Sequence, residues 1–312
     1  MFSTKKERDT PMKQQEYENY LNFIDEALEM AKAIPRYFSR FSNKIYCNHQ
    51  KLAIYILMQK FKKTYRGIVS WLKSNSDARL HLGLYKIPVH TTMVRFAKKI
   101  SGYANLFFSI KQAKTVALDA TGFELEAKSF YYRNLWNSDQ MQKTRQYMKL
   151  SIVADVNKQL ILKCKIREKL RNDIIDFKSL LKGLNVSYVV ADKGYDSSAN
   201  RTFVIRKLKA IPVIPVRNHT NFYGYFPLGR KISGRRYHQR SKVESIFSAI
   251  KRKYGSVLRA RSFATQKVEL ISKVIAYNLD RKLNYLSLLI RGLHQSPIVY
   301  CNQKGCSYKR KN

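Results

Sequence analysis

Two apolar runs in this sequence end at an aspartate, where a carboxylate could do chemistry. Asp119 follows the run at residues 116–118, and Asp192 follows the run at 189–191. An ionised carboxylate beside a buried strand is costly unless it is paired or binds a metal, and α/β proteins place ligands at the carboxyl edge of their strands. A single aspartate of this kind is more typical of a turn or a helix cap. The functional interpretation therefore depends on finding two aspartates at equivalent places.

A third acid, Glu244, lies in a segment with helical periodicity. At about 100° per residue, a stripe roughly 60° wide contains four polar positions, which are Tyr237, Arg240, Glu244 and Lys251. A surface salt bridge between Arg240 and Glu244, four residues apart, is the alternative interpretation. That alternative explains the charges, but it does not explain why so basic a protein keeps one of its few acids here.

Three carboxylates brought together suit metal-assisted displacement at a phosphodiester. Divalent cations offset the repulsion among the acids, and two such ions can activate an attacking oxygen and stabilise a leaving one. Oxygen ligands favour Mg²⁺ or Mn²⁺ over zinc. We therefore predict that Asp119, Asp192 and Glu244 are the catalytic residues and hold two Mg²⁺ (or Mn²⁺) ions, while Arg240 and Lys251 hold phosphates of a bound strand.

The charge balance calls for a polyanionic partner. Sixty Lys and Arg face 21 Asp and Glu in 312 residues, a net charge of +39. Nucleic acid is the commonest such partner, because each neutralised phosphate releases counterions, and an anionic membrane surface is the alternative. Residues 1–114 hold 21 basic and 8 acidic side chains and residues 115–312 hold 39 and 13, so the excess is not confined to a tail.

Hydropathy and cysteine usage indicate in which cellular compartment the protein is expected. No apolar run reaches the roughly 18 residues of a membrane span, and the polar first 20 residues predict no signal peptide. The four cysteines form no framework of paired spacings, which fits a reducing cytoplasm. Cys301 and Cys306 could form half of a metal site, and their role stays open. We expect a cytoplasmic prokaryotic protein that makes no membrane contact and associates with the nucleoid when bound to DNA.

The elements around the acids predict three regions. Residues 1–113 are helical, residues 114–293 mix strands and helices, and residues 294–312 form a basic tail. In the middle region we expect strands that end at Asp119 and Asp192, two further strands at 147–156 and 159–166, and a loop over 217–236. Long helices are expected at about 238–253 and 265–292. This order favours a mixed α/β (α+β) catalytic domain preceded by a small all-helical region.

The helical region has two interpretations. Thr64 can cap a helix, and a later helix places apolar residues on one side and Arg95, Lys98 and Lys99 on the other. Short helices of this kind resemble a helix-turn-helix DNA reader, but they equally suit a small bundle with a basic surface. Arg95 and Lys98 are the candidate DNA contacts in this region.

Several motifs together resemble a known family. The spacing of Tyr237, Arg240, Glu244 and Lys251 matches the Y-x2-R-x3-E-x6-K signature of the DDE transposases of bacterial and archaeal insertion sequences. Residues 118–123 and 191–197 resemble the family's two aspartate motifs, in the right order. Residues 64–72 and 84–100 are similar to its N-terminal region. The resemblance covers roughly residues 45–290.

The resemblance implies an RNase H-like catalytic domain that cuts at the terminal inverted repeats of an element and transfers the 3′-hydroxyl strand into target DNA. By position, Asp119, Asp192 and Glu244 would be the metal ligands, while Tyr237, Arg240 and Lys251 would contact DNA near the cut. The N-terminal helices would recognise the double-stranded element ends. A homodimer or a higher assembly on paired ends is also implied.

Three other functions compete with an active transposase. One is an RNase H-like endonuclease without strand transfer, and another is a transposase-derived protein that binds DNA without cutting it. The intact set of acids argues against the second, because decayed copies usually lose one. A membrane-surface or RNA-binding protein is supported only by charge.

Overall fold

A computed structural model of the chain describes residues 14–108, 110–126, 147–168, 172–216, 234–294, 301–302 and 305–306. The predicted loop at 217–236 lies outside these residues, except for 234–236, which begin a helix. Most of the predicted basic tail at 294–312 lies outside them as well. Among the described residues, no helix combines the length and the apolar character that a membrane crossing needs.

Helices dominate both ends of the described chain. They are α1 (Gln14–Ala31), α2 (Asn48–Lys60), α3 (Tyr65–Ser74), α4 (Ser76–His81), α5 (His90–Ile100), α6 (Ile174–Leu181), α7 (Ser198–Thr202), α8 (Gly234–Tyr237), α9 (Ser241–Tyr254) and α10 (Phe263–His294). Thr64 caps α3 as predicted, because its hydroxyl accepts the Gly67 N–H at 3.0 Å. The 3-10 segment His238–Arg240 joins α8 to α9, so the predicted helix at 238–253 is present with its first turn tightened.

The strands between these helices form a mixed sheet. They are β1 (Gln112–Leu125), β2 (Tyr147–Asp155), β3 (Ile161–Arg167), β4 (Asn185–Val190), β5 (Ile211–Val213) and β6 (Val257–Leu258), with the separate pair β7 (Cys301–Asn302) and β8 (Gly305–Cys306). The order is β3-β2-β1-β4-β5, and β6 pairs with the far end of β1. The pairs β1–β2 and β2–β3 are antiparallel, whereas β4 and β5 join in parallel. This is the predicted mixed α/β fold, an RNase H-like sheet preceded by helices.

The central strand β1 is longer than the sequence predicted. We expected it to end at Asp119, but it continues for six residues to Leu125. Its parallel pairing with β4 stops at Ala117, while its pairing with β2 continues to Glu124. The edge at which the acid lies is therefore the end of the parallel part of the sheet, not the end of the strand.

The two faces of β1 belong to different cores. Val116 and Leu118 face one apolar cluster, which α6 covers with Phe177. Ala117 and Phe123 face the other cluster, which contains Val243 of α9. Because side chains alternate across a strand, Asp119 lies on the face of Ala117 and Phe123, beneath α9.

The N-terminal helices share that second core with the mixed sheet. Leu52 of α2 and Ile100 of α5 line one buried gap together with Val268 and Ile271 of α10, and all four are at least 96% buried. The helix α10 follows the three acids in sequence, yet it packs against α1, α2 and α5. The helical region is thus continuous with the core of the α/β region.

Candidate active site

The two aspartates lie at equivalent positions of two adjacent parallel segments. Ala117 of β1 pairs with Val190, the last residue of β4. Asp119 lies two residues further along β1, and Asp192 lies two residues beyond the end of β4, where the backbone is still extended. An offset of two keeps both side chains on the same face of the sheet. Val190 belongs to the apolar cluster that contains Ala117, so Asp119 and Asp192 both extend from the face that α9 covers.

The helix α9 brings Glu244 to this face. Its apolar stripe, formed by Val243, Ile246, Phe247, Ile250 and Tyr254, is buried in the core beneath it. Glu244 lies in the first turn, and its side chain is 52% exposed. A carboxylate in the first turn of a helix is favoured by the helix dipole. The burial of the stripe fixes the rotation of α9, so Glu244 lies at the margin of the helix.

Arg240 joins two of the three acids. Its guanidinium Nη2 lies 2.6 Å from Glu244 Oε1, and its Nη1 lies 3.4 Å from Asp119 Oδ2. The Asp119 and Arg240 side chains are only 21% and 26% exposed. The Arg240–Glu244 pair that the sequence suggested is therefore present, but its contact with Asp119 makes it more than a surface salt bridge on one helix.

The electrostatics of Asp119 indicate that Asp192 belongs to the same cluster. Burial raises the pKa of Asp119, and the negative charges of Glu244 and Asp192 raise it further. The Ala120 N–H, which donates to Asp119 Oδ1 at 2.8 Å, and the Arg240 guanidinium act in the opposite direction without cancelling the rise. Ionising Asp119 is therefore less favourable in the folded protein than in the unfolded chain, and a bound cation would offset that difference.

Asp192 also caps a turn. Its Oδ1 accepts the Lys193 N–H at 2.6 Å, at the start of the 3-10 segment Lys193–Tyr195. The capping role considered for this residue from its sequence is thus observed. It leaves the second carboxylate oxygen, Oδ2, outside that hydrogen bond, and Asp192 still contributes to the electrostatics of Asp119.

Lys251 is held at the same face by β1. Its Nζ donates to Thr121 Oγ1 at 2.8 Å and lies 5.3 Å from the centre of the Phe123 ring. Asp119, Thr121 and Phe123 alternate along one face of β1. The helical stripe and the strand face therefore meet, with Arg240 opposite Asp119 and Lys251 opposite Thr121.

The remaining predicted DNA contacts, Tyr237, Arg95 and Lys98, lie at the end of α8 and on α5. Tyr237 is half-buried against the core at the end of α8. Arg95 and Lys98 are exposed on α5, whose Met93 and Phe96 are buried. Helix α5 packs on α2, α3 and α10. Within the described residues, no contact connects Arg95 or Lys98 with the three acids.

Two residues near the acids were not identified from sequence. Thr121 follows Asp119 by two positions, and it would have been recognised had β1 been predicted to its full length. Tyr195 is 2% exposed, and its hydroxyl has no hydrogen-bond partner among the described residues. Burial raises the pKa of Tyr195, and Asp119 and Asp192 add to the shift. Tyr195 lies in the segment 191–197 that resembles the second aspartate motif, but its closeness to Asp119 depends on the folded sheet.

A preformed metal cage is not observed. Among the described residues, no group of three His, Cys, Asp or Glu side chains is close enough to hold a metal ion. The guanidinium of Arg240 lies between Asp119 and Glu244 instead. The donor set nevertheless fits a hard cation, since it consists of carboxylate oxygens only, and burial, with the charges of Glu244 and Asp192, raises the pKa of Asp119.

The sheet order and its acid-bearing edge define an RNase H-like domain. The chain belongs to the DDE transposase family, because the family described as "Transposase DDE domain" matches residues 110–279, more than half of the chain. The matched range contains Asp119, Asp192 and Glu244.

Two individual similarities accompany the family match. An uncharacterized protein of Aquifex aeolicus (strain VF5) is 22% identical over 224 residues, which cover 68% of this chain and 66% of that protein. The chain thus spans slightly less than two thirds of that relative. A piggyBac transposase chain, in a cryo-EM structure of its synaptic complex with hairpin DNA, is similar with a TM-score of 0.48 and 10% identity. That similarity covers 88% of this chain and 75% of the piggyBac chain.

Proposed function

We propose that this protein is a DNA transposase that binds terminal inverted repeats, cleaves double-stranded DNA at the element ends and transfers the 3′-hydroxyl strand into target DNA. The observation that supports this most is the arrangement of Asp119, Arg240 and Glu244, with Asp192 two residues beyond the β4 residue that pairs with Ala117. Acids gathered under a helix with basic residues suit a polyanionic substrate that reacts at a phosphate.

Asp119, Asp192 and Glu244 are the proposed catalytic residues and the ligands for two Mg²⁺ (or Mn²⁺) ions. Such ions supply Lewis acidity to the attacking and leaving oxygens of a phosphodiester. Before all three acids can share a cation, Arg240 must release Asp119 and Glu244. A DNA phosphate is a suitable new partner for the freed guanidinium, since arginine binds phosphate with two parallel hydrogen bonds.

The other basic residues have proposed roles on the DNA. Lys251 holds a phosphate beside Thr121, and Tyr237 contacts the strand near the cut. Residues 1–113, with Arg95 and Lys98 on α5, bind the element ends, and residues 114–293 form the catalytic region. The protein acts as a homodimer or a higher assembly on paired ends. The net charge of +39 supports extensive phosphate contact.

The direct test uses a labelled linear duplex that carries the inverted repeats flanking the coding sequence, a target plasmid, and Mg²⁺. We expect nicks at the repeat ends and joined products that need both Mg²⁺ and the repeats. Cleavage without joining would favour a nuclease in place of a transposase. Binding that weakens steeply with salt but never leads to cleavage would favour a non-catalytic DNA-binding protein.

Replacing Arg240 tests the metal site without an activity assay. In EDTA, Arg240→Gln should melt at a lower temperature than the parent, because Asp119 and Glu244 lose the cation between them. Addition of Mg²⁺ should then raise the melting temperature of the variant more than that of the parent, since no guanidinium competes for the acids. Thermal unfolding across a Mg²⁺ titration measures both effects.

The matched control for this titration is Arg206→Gln, which removes an exposed arginine on the opposite layer of the sheet. It should respond to Mg²⁺ as the parent does. Equal Mg²⁺ shifts in the parent and in Arg240→Gln would contradict the proposed competition between the guanidinium and the metal.

A further inference from the structure

A patch of exposed basic residues lies where the turn after α2 meets the end of α9. We define the junction patch as Lys62, Arg252 and Arg259, all of which are exposed. Further exposed cations flank it in sequence, namely Lys63, Arg66 and Arg261. Only Arg66, in the segment 64–72, belongs to a motif described above.

Direct contacts hold the three residues together across long sequence separations. Lys62 Nζ donates to the Arg252 carbonyl at 3.0 Å, and Arg259 Nη1 lies 3.4 Å from the Lys62 carbonyl, to which it donates. The backbone of Lys62 has φ +52°, a left-handed conformation that is costly for a residue with a Cβ. Lys62 lies just after the C-cap of α2, and the Lys62 and Lys63 N–H groups donate to the Gln59 and Met58 carbonyls as at a common helix C-terminus. This turn places the lysine beside the end of α9.

A buried ion pair makes the Arg259 segment rigid. Glu269 accepts the Arg259 N–H at 3.1 Å and the Ala260 N–H at 2.9 Å. Lys273, only 2% exposed, donates to the carbonyls of Gly255 and Val257 and pairs with Glu269. The loop that carries Arg259 is therefore fixed before any ligand arrives.

Among the described residues, cations outnumber acids at the surface of the patch. Two exposed acids, Glu124 and Glu126, lie at the end of β1, which pairs with β6 beside Arg259. Glu269 and Asp280 are 8% and 9% exposed and are already engaged, Glu269 by Lys273 and Asp280 by Lys60 and Lys253. Burial lowers the pKa of Lys273, and the charges of Arg259 and Lys62 lower it further. The region therefore carries a positive potential that faces solvent.

The patch lies within reach of the acids along a single helix. Glu244 and Arg252 are separated by eight residues of α9, which corresponds to about 12 Å of helix rise. Lys251 is the adjacent residue and already faces the acids through Thr121. At 3.4 Å for each base pair, 12 Å of duplex is roughly three to four base pairs.

We propose that the junction patch binds backbone phosphates of the cleaved DNA duplex, about three to four base pairs from the cut. This inference rests on the proposed function and adds a positioning surface to it. The patch touches no reacting atom, so it sets the affinity and the register of the DNA without acting in the chemical step.

The test compares the triple variant Lys62→Gln, Arg252→Gln, Arg259→Gln with a control of equal charge, Lys178→Gln, Arg206→Gln, Lys207→Gln. The control residues are exposed on the opposite layer of the sheet. Affinity for the repeat-carrying duplex is measured over a range of salt concentrations. A plot of log affinity against log salt concentration becomes less steep by about 0.9 for each phosphate contact that is lost. The slope of the patch variant should therefore fall in magnitude by roughly 3, and that of the control should change little.

A second duplex, with uncharged methylphosphonate linkages three to four base pairs from the cut, locates the contact. It should weaken binding by the parent and leave binding by the patch variant unchanged. At saturating DNA, the patch variant should still cleave at the parent's rate. Equal losses in the patch and control variants, or an unaltered slope in the patch variant, would overturn the patch alone. A parent that does not bind the duplex would overturn the proposed function as well.

Discussion

Replacement of Asp119 by asparagine is expected to reduce DNA cleavage by roughly 10²- to 10³-fold. A ligand to a catalytic cation contributes several kcal/mol of transition-state stabilisation, and each 1.4 kcal/mol is about tenfold in rate. Asp192→Asn and Glu244→Gln should fall in the same range. Because burial and its acidic neighbours raise the pKa of Asp119, removing its charge should leave the folded protein as stable as the parent, or slightly more so, in EDTA.

The assay measures single-turnover cleavage of the repeat-carrying duplex at saturating protein, alongside thermal unfolding and DNA affinity. Glu124→Gln is the matched control, because it removes a carboxylate from the same strand, five residues from Asp119 and on the opposite face. It should cleave at the parent's rate. If Asp119→Asn cleaves as fast as Glu124→Gln, the acid has no catalytic role.

Replacement of Asp280 by asparagine should destabilise the fold by about 2–4 kcal/mol. The Asp280 side chain is 9% exposed, accepts Tyr254 Oη at 2.5 Å and pairs with Lys60 and Lys253. Breaking a buried pair leaves an uncompensated charge, and the partial exposure of Lys60 places the expected cost at the lower end of the usual range. Chemical denaturation measures the loss.

The control is Asp25→Asn, on a side chain that is 55% exposed and pairs with His81. It should change the stability by less than about 1 kcal/mol. If both variants unfold at the same denaturant concentration, Asp280 does not tie the helical region to the catalytic region.

Acidity gives an independent check on Asp280. Burial would raise its pKa, but Lys60, Tyr254 and Lys253 outweigh burial and hold the pKa below its ordinary value. A lowered folded pKa contributes stability above the unfolded value of about 3.9, and that stability is lost as the pH falls through the folded pKa. The difference in the free energy of unfolding between the parent and Asp280→Asn should therefore become smaller only below about pH 4.

Much of the acid-bearing face of the sheet could be predicted from local sequence patterns. The stripe of Arg240, Glu244 and Lys251 needed only helical periodicity, and the apolar stripe beside it is buried as the pattern predicts. The Thr64 cap is equally local. Both signals depend on a few consecutive residues, and sequence expresses such signals directly.

The features missed from sequence depend on distant partners. The strand β1 continues past Asp119 because β2 and β6 pair with it there, and its local sequence, which includes Thr121 and Gly122, gave no sign of this. The contact from Arg240 to Asp119 joins residues 121 positions apart. The helix-turn-helix and bundle interpretations could not be separated either, since the packing of α10 on α2 and α5 depends on residues some 200 positions away.

The continuity of that core has a geometrical consequence. Helices that share packed side chains with the catalytic region cannot swing on a tether, so DNA held by α2–α5 would lie at a fixed offset and rotation from the acids. The spacing between a bound sequence and the cut would then be fixed. Each base pair added between them turns the duplex by about a tenth of a helical turn, and a rigid protein cannot rotate one region against the other to accommodate that turn.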